Sequence, residues 1–335
     1  MKKTSRIFVA GHRGMVGSAI CRRLRQAGYS NLILRTHEEV DLRNQYDVDK
    51  VFAFEKPEYV FLAAAKVGGI LANSTYPADF LRDNLAIQTN VIDAAWRHGV
   101  KKLQFLGSSC IYPRLAPQPL KEEYLLTGPL EPTNEWYAVA KIAGIKLTQA
   151  YRQQYGFNAI NLMPTNLYGP GDNFDLTCSH VVPAIIRKFH EAVCAGKREV
   201  VLWGSGEVYR EFLHVYDLAD AALLLMLQYN EPEIINVGSG HDITIRELAA
   251  LVAHTTGFEG RIVYDTSKPD GTPRKLLDVA RLTSLGWKPG IPLTKGIRQT
   301  YLWYCETSAL SAALSNSLCL FHESRRSRRF ETARL

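Results

Sequence analysis

The chain is poor in cysteine, and its six cysteines follow no pattern. Cys21, Cys110, Cys178, Cys194, Cys305 and Cys319 contain no CxxC pair and no zinc spacing, which excludes a disulfide framework and a structural zinc module. Reduced thiols in a reducing, cytoplasmic compartment are expected, and no metal site. No run of about 18 uncharged apolar residues occurs, so no helix is expected to span a membrane. The opening MKKTSRIFVAGHRG lacks a long apolar core and a small-residue cleavage site, so no secretory signal is expected. The 24 glycines and 15 prolines show no period, which excludes a collagen-like or low-complexity chain. No internal repeat is visible.

What is present is core-forming material. Of 335 residues, 46% are hydrophobic and 22% charged, enough to bury one large domain or two smaller ones and too apolar for a disordered chain. The formal charge is +7. Beyond Glu306, five arginines (Arg325, Arg326, Arg328, Arg329, Arg334) face only Glu323 and Glu331, so much of the excess is local. The remainder suits an anionic small molecule, and no nucleic-acid recognition motif accompanies it.

The first half alternates strand and helix. Arg6–Ala10, Leu32–Arg35, Tyr59–Ala64, Lys102–Leu106 and Asn158–Met163 read as strands. Met15–Ala27, Phe80–His98 and Trp136–Tyr155 read as helices closed by Gly28, Gly99 and Gly156, with Asn134 available as a cap. This order predicts parallel βαβ units with right-handed crossovers and a sheet covered on both faces. The fold class expected is α/β, a Rossmann-type doubly wound parallel sheet over 1–165, with a smaller α/β substrate lobe over 166–306. In that lobe, short strands (Val200–Trp203, Ile234–Val237) mix with helices (Val182–Ala195, Ala219–Tyr229, Ile245–Thr256) and Pro/Gly-rich loops. Residues 307–335, biased to Ser, Leu and Arg, read as an atypical extension, either disordered or a short added helix, on which catalysis does not depend.

Gly11, Gly14 and Gly17 form G-x-x-G-x-x-G directly after the first strand and at the mouth of a helix. Glycine allows the tight turn, the approach of backbone to a pyrophosphate, and the close packing of helix on strand. The free N–H groups of the helix start then face the anion. The second strand ends on Arg35 rather than on an acidic residue, and Arg13 lies inside the glycine turn. Two guanidinium groups suit a 2′-phosphate, which favours NADP over NAD.

Tyr137 and Lys141 stand four apart on one helix face. An ammonium beside a phenol is expected to lower its pKa and prepare it for proton exchange with a substrate oxygen. Ser108 follows the strand Lys102–Leu106, at the carboxyl end where ligands of parallel sheets bind, and can hold the same oxygen. Ser, Tyr, Lys and the glycine turn together resemble the extended short-chain dehydrogenase/reductase superfamily. Cys110, two residues beyond Ser108, stands where related dehydratases and 4-epimerases carry other residues. A thiolate there could remove a proton from carbon next to a ketone.

The segments GHRGMVGSAI, AAAKVGGI, LGSSCIYP, EPTNEWYAVAKIAGIK, MPTNLYGPGDNF, SHVVPAIIRKFHEA, WGSGEVYREFLHV and SKPDGTPRKLLDV resemble the GDP-L-fucose synthase family, over about Arg6 to Tyr304. The resemblance implies C3 and C5 epimerisation of GDP-4-keto-6-deoxy-D-mannose followed by NADPH-dependent reduction at C4. It implies that Tyr137 donates a proton to the C4 oxygen, Lys141 tunes it and Ser108 holds that oxygen. Cys110 and His180 become the epimerising base and acid. Cofactor contacts are implied at Gly11, His12, Arg13, Gly14, Met15, Val16, Gly17, Arg35, Leu106, Gly107, Ser108, Ser109, Lys141, Pro164, Thr165, Asn166, Leu167 and His180. Lys188, Trp203, Arg210 and Asp270 are implied to bind the GDP-sugar, and a homodimer through the two long helices is implied as well. The alternative on the same fold is an NDP-hexose 4-epimerase or dehydratase.

Overall fold

The computed structural model describes residues 1–308. The expected extension therefore lies outside the described residues, apart from 307 and 308. In chain order the elements are β1 (Ile7–Ala10), α1 (Met15–Gln26), β2 (Leu32–Ile33), α2 (Gln45–Glu55), β3 (Tyr59–Leu62), α3 (Ile70–Thr75), α4 (Pro77–Arg97), β4 (Lys102–Leu106), α5 (Glu135–Tyr155), β5 (Ala159–Pro164) and β6 (Asn166–Tyr168). There follow α6 (Val181–Cys194), β7 (Glu199–Trp203), β8 (Tyr209–His214), α7 (Val215–Gln228), β9 (Ile235–Val237), β10 (Asp242–Thr244), α8 (Ile245–Thr256), β11 (Arg261–Asp265), β12 (Arg274–Lys275) and α9 (Ala280–Ser284). A last helix, α10, covers 293–308.

The main sheet has the order β2-β1-β3-β4-β5-β9, with every pair parallel. One face packs on α1 and α7, through Ile20, Leu24, Leu218 and Leu225. The other face packs on α2, α4 and α5, through Phe52, Val91, Ile92 and Ile145. Burial on both faces is the reason β1 reads as an unbroken apolar run and β4 and β5 as mostly apolar ones, broken only by the buried Lys102, Gln104 and Asn161. The strand order reverses between β1 and β3, so the crevice beyond their carboxyl ends is the ligand side of this topology.

The second lobe has its own core, in which Phe189 of α6, Val252 of α8 and Leu202 of β7 meet. Its strands form two small sheets, β11-β7 and β10-β8-β12, with β6 paired to β8.

The sequence boundary at 165/166 does not divide the sheets. α7 packs on α1, and β9 completes the large sheet beside β5, so the chain returns to the first lobe over 215–237. The second strand stops at Ile33 rather than Arg35, which leaves Arg35 beyond the sheet. Residues 166–168, read as loop, form β6 because β8 supplies their partners. α2 escaped the pattern because only Val48 and Phe52 are buried, while Tyr46 and Phe54 face solvent. Asn44 caps it, accepting from the Tyr46 N–H at 3.0 Å.

Candidate functional site

The glycine turn sits at the reversal of strand order. Gly11 has φ +84°, and a Cβ there would lie 2.7 Å from the Ala64 backbone nitrogen, at the end of β3. A Cβ at Gly17 would lie 2.1 Å from the Gly11 carbonyl oxygen, so only glycine lets the first turn of α1 pack this closely on the turn before it. At Gly14, by contrast, the nearest atom to a Cβ is 3.5 Å away and the residue is exposed. α1 begins there with no side-chain cap and no acidic residue in its first turn, so its N–H groups remain free for an anion. The buried His12 Nδ1 has no partner, and burial lowers its pKa. Met15 and Val16 follow, half-buried, with Met15 against Gly171 of the loop after β6. The cradle fits a dinucleotide diphosphate.

The two arginines assigned to a 2′-phosphate lie at the rim. Arg13 is exposed and pairs with exposed Glu38 at 3.4 Å. Arg35 is paired with Glu55 of α2.

At the carboxyl end of β4 the chain turns through Gly107, whose N–H donates to the Leu162 carbonyl at 2.8 Å. Ser108 is extended and caps a single 3-10 turn over Ser109–Ile111. Its Oγ accepts from the Cys110 N–H at 3.4 Å and lies 2.7 Å from the Cys110 Sγ. Ser109 and Cys110 line a narrow cavity together with Glu131, Asn134, Thr272 and Lys275. The thiol therefore reaches the cleft although the residue is buried.

Tyr137 and Lys141 project from the first turns of α5 on one face, as their spacing requires. The Lys141 Nζ donates to the Leu106 carbonyl at 2.8 Å and stands 5.6 Å from the centre of the Tyr137 ring. Burial brings the Lys141 pKa down to about 8, with Cys110 opposing. The expectation that Lys141 lowers the Tyr137 pKa is corrected here. Burial, and after it the neighbouring Cys110 sulfur, raises it, because a phenolate enclosed here would lose its solvation. Tyr137 is thus held as a protonated phenol, the state of a proton donor.

His180 comes from the second lobe, at the N-terminus of α6. It reaches solvent in a crowded cleft, where burial and then Lys275 lower its pKa. Lys275, on β12, is influenced in turn by Cys110, Arg210, Glu131 and Glu211, and burial lowers its pKa. This amine thus lies among Cys110, His180 and Arg210, and sequence reasoning did not single it out. The available signal was a lysine within a short pairing segment just before an apolar pair, in SKPDGTPRKLLDV. Asn134, assigned only as a helix cap, makes no cap bond, and its buried Oδ1 is unpartnered at the cavity wall.

The segment Pro164–Leu167 joins the end of β5 to β6. Thr165 Oγ1 and Asn166 Nδ2 both donate to the Glu211 carbonyl, at 3.2 and 2.8 Å, so the Asn166 amide is tied to backbone rather than free in the cleft. Further out, Arg210 donates to the Asp270 carbonyl at 3.0 Å, and burial lowers its pKa to about 10. The Asp270 carboxylate accepts from the Ser205 N–H at 2.8 Å, next to Trp203 and Gly204. Trp203 is 51% exposed rather than a core residue. The Nζ atoms of Lys188 and Lys268 lie 5.9 and 5.6 Å from its ring centre. Lys188, Trp203, Arg210 and Asp270 therefore share one arc of the second lobe. Among the described residues, no group of three His, Cys, Asp or Glu side chains is arranged to hold a metal ion.

Residues 7–238 match the NAD dependent epimerase/dehydratase family. The putative GDP-L-fucose synthase 2 of Arabidopsis thaliana is 64% identical over 306 residues, 91% of this chain and 93% of that protein. The GDP-mannoheptose C4 reductase of Campylobacter jejuni, solved with NADP bound, superposes with a TM-score of 0.83 at 42% identity, over 91% of this chain and 99% of that one. A GDP-L-fucose synthetase of Naegleria fowleri, also bound to NADP, gives 0.85 at 28% identity, over 92% and 96%. Taken with the glycine cradle and the Ser–Cys–Tyr–Lys cluster, these likenesses place the chain in the NAD dependent epimerase/dehydratase family, as a member of its GDP-L-fucose synthases.

Proposed function

We propose that the protein converts GDP-4-keto-6-deoxy-D-mannose into GDP-L-fucose, epimerising C3 and C5 and then reducing the C4 ketone. NADP(H) is the cofactor, and when bound it supplies the hydride for C4. The observation that carries the reading is the Ser108–Cys110 pair at the end of β4, 2.7 Å apart, beside a protonated Tyr137 and the buried Lys141.

C3 and C5 are both next to the ketone, so their protons are acidic once the C4 oxygen is hydrogen-bonded. The Ser108 hydroxyl and the Tyr137 phenol are the donors for that oxygen. Cys110 removes the proton, and His180 returns one from the opposite lobe, which is what inversion at carbon requires. In the reduction, Tyr137 passes its proton to the C4 oxygen, and its raised pKa keeps that proton on the phenol at neutral pH. Lys141 fixes the end of β4 through the Leu106 carbonyl and stabilises the phenolate as it forms. Lys275 lines the same cavity as Cys110, and its amine can donate to the oxygen of an enolate formed there. The arc of Lys188, Trp203, Arg210 and Asp270 receives the GDP moiety, with the Arg210 guanidinium on the diphosphate and the exposed Trp203 ring stacking on base or sugar. Binding energy from this remote group orients the ketone over Cys110. The glycine cradle takes the cofactor diphosphate, and Arg13 and Arg35 take its 2′-phosphate on exchanging their present carboxylate partners.

Two coarser features belong to the same reading. A homodimer through α4 and α5 is supported by the exposed Trp136, Val139 and Tyr155 on α5. A cytoplasmic location is supported by five free thiols among the described residues. Among those residues no helix is long and apolar enough to cross a membrane.

Incubation with GDP-4-keto-6-deoxy-D-mannose and NADPH tests the reading. NADPH should be consumed mole for mole, with GDP-L-fucose as the product. An NDP-hexose 4-epimerase or dehydratase would recycle its nicotinamide, so turnover without net oxidation of NADPH would overturn the assignment.

A further inference from the structure

The segment between β3 and α3 runs from the large sheet to the loop that carries His180. At its start, two side-chain hydrogen bonds from buried Asn84 of α4 hold Lys66: the Lys66 N–H donates to Asn84 Oδ1 at 2.9 Å, and Asn84 Nδ2 donates to the Lys66 carbonyl at 3.0 Å. At its end, buried Asn73 of α3 donates to the carbonyls of Gly68 and Gly69, at 2.8 and 3.0 Å. Between these anchors the Gly69 N–H donates to the Cys178 carbonyl at 2.9 Å. A Cβ at Gly69 would lie 2.5 Å from the Ser179 carbonyl oxygen, one residue before His180.

Gly69 has φ −68° and ψ −177°, a conformation open to any residue. Glycine is therefore needed at this position for close approach rather than for backbone freedom. Two anchored asparagines and one main-chain hydrogen bond form a stiff strut, and its free end meets the backbone of the proposed acid.

We propose that Gly69, held by Asn73, is a positioning residue for His180 and fixes the distance of its imidazole from the face of the sugar opposite Cys110. The proposal rests on the role given to His180 above. An added methyl must push the Cys178–Ser179 backbone away, and His180 moves with it. Proton return to C3 and C5 is then impaired, while the cofactor cradle on β1 and α1 is untouched.

The test follows uptake of solvent deuterium at C3 and C5 of GDP-4-keto-6-deoxy-D-mannose, without NADPH, by mass spectrometry. Displacement of a reacting group by an ångström can lower a rate ~100-fold, and a loss approaching that is expected for Gly69→Ala. Asn73→Ala should lose a smaller factor, and both should keep the wild-type NADPH affinity. Each substitution should add nothing further in a His180→Asn background, because the group it positions is already gone. A purely structural role would lower uptake by the same factor in both backgrounds. That result, or wild-type uptake in Gly69→Ala, would overturn the proposal. If Gly69→Ala does not fold, the same comparison with Asn73→Ala decides. Absence of uptake by the wild-type protein itself would strike the proposed epimerisation instead.

Discussion

Asp172 offers a sharp test of the electrostatics around the cleft. Its carboxylate accepts the Asn173 N–H at 2.8 Å through one oxygen, while the other is buried and unpartnered. Burial raises its pKa from 3.8 to about 7. Above pH 7 the folded chain must hold a poorly solvated anion that the unfolded chain holds in water, and the whole penalty is present. As the pH falls from 7 toward 4, the folded group takes up a proton that the unfolded one does not, and the penalty shrinks. The gap between the two pKa values corresponds to ~4 kcal/mol at pH 8. Asp172→Asn removes the charge but leaves an amide donor without an acceptor, at about 1–3 kcal/mol. The net expectation is a stabilisation of ~1–3 kcal/mol at pH 8 that is lost by pH 5. In thermal unfolding of the ligand-free protein this should raise Tm by ~1.5–4 °C at pH 8, given roughly 1.4 °C per kcal/mol for 335 residues, with no rise at pH 5. The same Tm difference at both pH values would refute the reasoning, as would a wild type more stable than the variant at pH 8.

The other predictions concern single groups. Tyr137→Phe should bind NADPH normally and lose C4 reduction by about two orders of magnitude or more, the scale of one positioned general acid; turnover near wild type in a NADPH-absorbance assay would remove the phenol from that role. Cys110→Ser should keep ketone reduction measurable while deuterium uptake at C3 and C5 falls strongly, and unchanged uptake would exclude the thiol as base. Lys102 donates to the carbonyls of Leu225, Met226 and Tyr229, at 3.0, 2.7 and 2.6 Å, where α7 ends against the sheet. Lys102→Met strips this donor from the Met226 and Tyr229 carbonyls, while Leu225 keeps the Tyr229 N–H, and should destabilise the fold by about 1–3 kcal/mol. An unchanged Tm would show that those carbonyls find other partners.

Much of the first lobe was legible because its signals are local. Buried parallel strands read as apolar runs, glycines close the helices, and a glycine turn between strand and helix has few other uses. The pairs Ser108–Cys110 and Tyr137–Lys141 were legible because two-residue and four-residue spacings bring side chains together within one turn. Lys275 was not legible. Its neighbours Cys110, His180 and Arg210 come from β4, α6 and β8, and no spacing along the chain encodes that meeting. The pKa of Tyr137 was read in the wrong direction for a related reason. The sequence names the charged neighbour, but the loss of solvation that raises the pKa depends on everything packed around the ring.

The chain alone determined the class of fold, the glycine turn after β1 and the pairing of Ser108 with Cys110 and of Tyr137 with Lys141, since each depends on residues adjacent in sequence or one helical turn apart. Only tertiary structure decided that β9 returns to complete the large sheet, that Asn166 is tied to Glu211, and that Gly69 abuts the backbone before His180. Those contacts join segments from 45 to more than 100 residues apart. Their geometry is set by how whole layers pack, and local preference carries no record of it.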